Sequence, residues 1–104
     1  MQKQARKFDT GKARYALIPP GALEELARVY TMGAMKYEDN DWLRGMDFDR
    51  VFSAIQRHLW AFWGGENLDE ESGLSHLAHA AWGCFALFEY LRLGLGVDNR
   101  HTNM

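Results

Sequence analysis

The chain has 104 residues, the size of one domain, with too little length for a second core. Hydrophobic residues at 47% and charged residues at 25% are ordinary globular usage and argue against intrinsic disorder. A net charge of -2 supplies no basic field for nucleic acid, and the one cysteine, Cys84, excludes an internal disulfide and fits a reducing compartment.

Residues 1–18 form a basic segment, with Lys3, Arg6, Lys7, Lys12 and Arg14 set against Asp9 alone, so the rest of the chain is acidic. The start of the chain is too polar for a secretion signal, and no stretch approaches the roughly 18 apolar residues of a spanning helix. A cytoplasmic location without membrane contact is expected. A first helix opens at Pro20, a good first helical residue, and runs to about Tyr37 with the stripe Leu23, Leu26, Tyr30, Ala34 and Tyr37. The acidic run Glu38-Asp39-Asn40-Asp41 breaks it. A second helix follows Asp47, a plausible N-cap, with Val51, Ile55, His58 and Phe62 on one face and Gly64-Gly65 at its end.

A second acidic loop, Glu66 to Glu71, leads into a third helix from near Ser72 to Leu93, stopped by Gly94 and Gly96. Its main stripe is Leu74, Leu77, Ala81, Phe85 and Phe88, while His76, His79, Gly83, Leu87 and Tyr90 gather on roughly the opposite side. No segment alternates as a half-buried strand does. The expected class is therefore all-α, one domain over 1–104: a basic segment 1–18, a helical core 20–93 and a tail 94–104. Three helices of about 18–22 residues, about 27–33 Å long, shield a central helix poorly. Trp60, Phe62, Trp63, Trp82, Phe85 and Phe88 add large surfaces that need cover. A homodimer completing a four-helix-like bundle is the simplest remedy.

His58 lies on the buried stripe of the second helix, and His76 and His79 stand three residues apart on the third. Between them lie Glu66, Asp69, Glu70 and Glu71. Imidazoles and carboxylates converging at a helix–loop–helix junction suit a divalent cation, the oxygens favouring Mg²⁺ or Mn²⁺ and the imidazoles Mn²⁺ or Co²⁺. The alternative reading is a hydrogen-bonded core histidine, two polar packing residues and a solvated acidic loop. The segment Lys7 to Arg14 is either a flexible arm or an anion clamp before a helix N-terminus, although it lacks the spacing of a Walker A loop. Lys36 and Arg57 can meet phosphate or solvent. Glu24 and Glu25 complement the first helix's dipole. Trp42 can stack on a base or plug an apolar groove.

Several blocks in order resemble the phage-associated dATP/dGTP diphosphohydrolase domain: Lys7-Phe8-Asp9-x-Gly11-Lys12-x-Arg14-Tyr15, Val29-Tyr30-x-x-Gly33-Ala34-x-Lys36-Tyr37, Arg57-His58-Leu59-Trp60, and Gly65-Glu66-x-x-Asp69-x-Glu71-Ser72-Gly73-Leu74-x-His76-Leu77-Ala78-His79. The similarity spans about residues 7–93. It implies hydrolysis of dGTP or dATP to the monophosphate and pyrophosphate, adjusting the nucleotide pool for phage DNA synthesis. The family also looks related to the all-α MazG-type pyrophosphohydrolases, which hold metal on ExxE and ExxD carboxylate pairs. Here there is no clean ExxE; Glu66-x-x-Asp69 follows two glycines, and His76-x-x-His79 stands where a second pair is expected. A mixed cage of Glu66, Asp69, Glu71, His76 and His79 is the expected replacement, with Glu71 and His58 as catalytic candidates. Lys7, Asp9, Lys12, Arg14, Lys36, Trp42 and Arg57 are the substrate-binding candidates. An HD-type phosphohydrolase lacks its His-Asp dipeptide here, and a non-enzymatic module binding a nucleotide or protein is the other alternative.

Overall fold

The computed structural model describes residues 4–101. Residues 1–3 of the basic segment and 102–104 of the tail lie outside the described residues. The elements are a 3-10 turn at Tyr15–Leu17, helix α1 at Pro20–Lys36, a 3-10 turn at Asp41–Arg44, helix α2 at Phe48–Trp63 and helix α3 at His76–Leu93. The all-α expectation holds, and among the described residues no helix is long and apolar enough to cross a membrane. Pro20 starts α1 as its first residue, where the missing N–H costs nothing.

α2 begins where expected, but the Asp47 side chain does not cap it. Its first N–H groups are met instead by the C-terminal segment: Phe48 N donates to Val97 O at 2.9 Å and Asp49 N to Asn99 Oδ1 at 3.0 Å. The tail thus folds back as a strap, and Val97 N returns a bond to Met46 O at 3.2 Å. This crossing depends on Gly45 and Gly96, both at positive φ (93° and 72°); a Cβ on Gly45 would stand 2.6 Å from Gly96 N.

α3 starts at His76, four residues later than the stripe suggested, and its cap is Ser75, whose side chain accepts from Leu77 N and Ala78 N. Residues 69–74 form their own closed loop. Gly73 N donates to Asp69 O at 2.7 Å, Asp69 N to Leu74 O at 2.8 Å, and His76 N to Asn67 O at 3.0 Å. Gly73, at φ 73°, turns the chain left-handed and prevents a helix from starting at Ser72.

The buried face of α3 also differs from the main stripe. His76, Ala80, Gly83, Ala86 and Tyr90 face inward, while Leu77, Phe85 and Phe88 are exposed. The core joins Phe48, Val51 and Ile55 of α2 to Ala80, Ala86 and Tyr90 of α3, with Trp42, Met46, Trp82, Leu87 and Leu95 packed around it. Small residues on α3 decide this: a Cβ on Gly83 would overlap Ile55 Cγ1, so α2 approaches there as the larger stripe could not allow. Tyr90 is wholly buried because its hydroxyl donates to Trp42 O at 2.6 Å. α1 lies against α3 through Leu26, Val29 and Tyr30, so the middle of the expected stripe faces inward while its ends, Leu23 and Tyr37, are exposed.

Candidate active site: a histidine–carboxylate cluster

The loop 66–75 and the facing turns of α2 and α3 bring His58, Glu66, Asp69, His76 and His79 together. His76 is buried at 4% exposure; its Nε2 stands 2.6 Å from Glu66 Oε2, and its Nδ1 meets His58 Nδ1 at 2.9 Å. An ionised carboxylate only accepts, so His76 donates from Nε2 to Glu66. With its proton on Nε2, His76 then accepts at Nδ1 from His58 Nδ1–H, which leaves His58 Nε2 with a free lone pair. His79 stacks on His58, and its Nε2 lies 2.7 Å from Ser72 Oγ and 4.0 Å from Asp69 Oδ2.

The electrostatics favour the neutral forms of His58 and His79. Burial pushes the pKa values of His58 and His79 down, and the neighbouring histidines lower them further. Burial raises the Asp69 carboxyl, but bonds from the Ser72 N–H and hydroxyl outweigh it and hold that carboxyl below its usual range. Neutral imidazoles beside a held carboxylate are the state a cation requires. One ligand atom each from His58, Asp69 and His76 lie within 4.8 Å of one another. With the His58 proton moved to Nε2, the two Nδ1 atoms, 2.9 Å apart, also suit two nitrogens bound to one ion at about 2.1 Å, roughly a right angle apart. The donor set therefore fits a divalent transition ion, imidazoles favouring Mn²⁺ or Co²⁺ over Mg²⁺.

A cavity of about 700 Å³ opens beside this cluster, between the end of α1, the segment 38–42 and α3, with His79 and Lys36 on its wall. Tyr30, Trp42 and Trp82 meet there, with centroids 6.0–6.4 Å apart. The family model that matches residues 2–100 is described as dATP/dGTP diphosphohydrolase, N-terminal. The chain belongs to this family. A protein of Salmonella phage PMBT28 named dATP/dGTP diphosphohydrolase is 42% identical over 97 residues. The match covers 93% of this chain but 31% of that phage protein, so the chain spans about a third of its relative's length. No solved structure matches.

Within this domain, the sequence-derived residues divide into four groups. His58, Glu66, Asp69, His76 and His79 converge as described. Glu71 does not join them: it sits in the loop rather than at a helix start, is exposed, and pairs with Lys36 at 3.1 Å. The turn closed on Asp69 and Gly73 directs it away, and His58 completes the three-ligand grouping in its place. That bond to Glu71 raises the Lys36 pKa. Trp42 lines the cavity. Lys7, Asp9, Lys12, Arg14 and Arg57 are exposed, and no side-chain bond joins them to the cluster.

Sequence reasoning missed Ser72, Tyr30, Trp82 and Glu25 as parts of this region. Glu25 lies beyond the first turn of α1 and accepts from Ser75 N at 3.3 Å, linking α1 to the α3 cap. The Ser-x-x-Ser spacing of Ser72 and Ser75 is the one signal of two successive caps, and it reads equally as a single helix start.

Proposed function

We propose that this chain is the nucleotide-hydrolysing part of a dATP/dGTP diphosphohydrolase, converting a purine deoxynucleoside triphosphate to its monophosphate and pyrophosphate and so adjusting the nucleotide pool for phage DNA synthesis. The observation that carries this reading is the convergence of His58, Asp69 and His76, with Glu66 behind His76, beside a cavity walled by Lys36. His58, Asp69 and His76 would hold a divalent ion. When bound, that ion neutralises charge developing on the phosphates and acidifies an attacking water.

The residues of the chain do the rest. Glu66 fixes the tautomer and orientation of His76, as carboxylates commonly do behind a ligating histidine. His79, kept neutral by burial, is the base for the water proton. The new bond joins the water oxygen to the α-phosphorus, and the bond to the α–β bridging oxygen breaks, releasing pyrophosphate. Lys36 receives a phosphate oxygen once it leaves Glu71, which gives that ion pair a role as a latch. Lys7, Lys12 and Arg14, with Asp9 closing the turn through its carbonyl to Lys12 N, form the outer clamp, and Arg57 adds charge beside His58.

A second copy of the chain belongs to the same reading. Phe52, Leu59 and Trp63 recur at +7 and +4 on α2, beside the exposed Leu77, Phe85, Phe88 and Leu91 of α3. Trp63 is 78% and Phe88 65% exposed. Two α2–α3 pairs meeting through this face make a four-helix arrangement, and each aromatic ring so covered contributes about 1.5–3 kcal/mol.

Incubation with separate deoxynucleoside triphosphates and Mn²⁺, Co²⁺ or Mg²⁺, with products resolved by chromatography, tests the activity. Monophosphate plus pyrophosphate is the expected result. Nucleoside plus triphosphate, or no turnover, overturns it.

A further inference from the structure

The cavity beside the histidine cluster is lined by groups of opposite charge. Lys36 and His79 line it, and so do Glu38, Asp39 and Asp41. The acidic segment is held in one shape by Asp41 N donating to Glu38 O at 3.2 Å, Leu43 N donating to Asn40 O at 3.0 Å, and Asn40 in the left-handed region at φ 59°. Phosphates are repelled by the carboxylates and attracted to the lysine, which favours a nucleotide with its phosphates toward Lys36 and its base toward the carboxylates.

The wall carboxylates are not equivalent. Arg44 takes Asp41 at 3.2 Å and Glu38 at 3.6 Å, so both carboxylates are engaged and part of their combined charge is offset. Asp39 lines the same wall and has no ion pair among the described residues. Tyr30, Trp42 and Trp82 supply the apolar and π surfaces on which a planar base rests. An unpaired carboxylate accepts two hydrogen bonds and donates none. Guanine matches it, because its N1–H and N2–H₂ are adjacent donors. Adenine presents one donor beside an acceptor, which the carboxylate repels.

We propose that this cavity is the base pocket and that Asp39 makes it select guanine over adenine. The proposal rests on the reading above that the chain handles purine deoxynucleotides. It goes further in assigning the pocket, its orientation and its purine.

Binding and turnover are measured separately, so that the two readings can fail separately. Quenching of tryptophan fluorescence by dGMP and by dAMP, on the whole chain without added metal, reports the pocket. The expected result is dGMP binding at least about tenfold more tightly than dAMP, the scale of a charged hydrogen bond. Asp39→Asn, an exposed and isosteric change, is expected to erase most of that ratio, since an amide can serve adenine's donor–acceptor edge. Trp42→Phe is expected to weaken both nucleotides while keeping their ratio. Equal affinities in the native chain, or a ratio unmoved by Asp39→Asn, overturn the proposal even where the chain hydrolyses both triphosphates. Selective dGMP binding without turnover sustains the pocket and overturns the enzymatic reading instead.

Discussion

The ring of His58 lies flat on that of His79, with centroids 4.6 Å apart and planes 6° from parallel. Two imidazoles so placed cannot both carry charge at low cost, because a proton on either repels a proton on the other. Burial is the larger influence and acts in the same direction. The arrangement keeps lone pairs available on both rings at neutral pH, which suits metal or proton binding more than ion pairing.

The first prediction concerns pH. Both rings have folded pKa values below the ordinary 6.5, so the unfolded chain takes up protons first as the pH falls. Their contribution to stability is complete above about 6.5 and is lost as pH descends toward the folded values. Thermal melts of metal-free protein across this range are expected to show a falling Tm on the acid side. His58→Gln should flatten that slope. A Tm unchanged through the same window would contradict the neutral, stacked assignment.

The second concerns the carboxylate. Asp69→Asn preserves shape and the loop bonds through the backbone, but removes a charged oxygen from the three-ligand grouping. Mn²⁺ affinity by calorimetry should fall by at least about 10–100-fold with little change in melting. Glu71→Gln should leave affinity nearly unaltered, because that side chain is turned toward Lys36. The reverse pattern would restore Glu71 as a ligand.

The third tests the α2–α3 crossing. Ala is the better helix former by about 1 kcal/mol, which would favour Gly83→Ala on an isolated helix. Here its Cβ would overlap Ile55, and overpacking in a core costs about 1–3 kcal/mol. A net loss of up to about 2 kcal/mol is expected from denaturant unfolding, recovered in part by pairing with Ile55→Val. Increased stability in the single variant would mean that the helices sit farther apart.

The fourth concerns the N-terminal arm. Removing residues 1–14 leaves all three helices untouched, so the helical spectrum should be retained. A phosphate clamp predicts a large rise in KM or loss of turnover, and Lys12→Ala a loss of about 1.5–3 kcal/mol in kcat/KM. Full activity in the shortened chain would make the arm a bystander.

The fifth concerns assembly. Light scattering at micromolar concentration is expected to give a dimer or larger, and Phe88→Glu to shift it toward monomer while the exposed side chain spares the fold. A native monomer would leave the apolar faces of α2 and α3 for another partner.

The sequence by itself determined the helical class, the three helices nearly to their ends, and the residue types at the junction. Pro20 and the Gly64-Gly65 pair mark boundaries through backbone properties that act locally, so chain punctuation suffices to place them, whereas the start of α2 after Asp47 is completed by the distant Val97 and Asn99. The family resemblance was equally legible, since it rests on ordered blocks of residues. The inward face of α3 was decided only in the tertiary structure. Hydrophobic volume marks Phe85 and Phe88, whereas close approach to Ile55 requires the small Gly83 beside them. The positions of His58 and Glu71 were decided in the same way. A left-handed turn at Gly73 and the loop bonds of Asp69 carry Glu71 out to Lys36, and the tight α2–α3 contact carries His58 in to His76. Periodicity reports which face of a helix a residue occupies, but which face meets which neighbour depends on contacts distant in the chain.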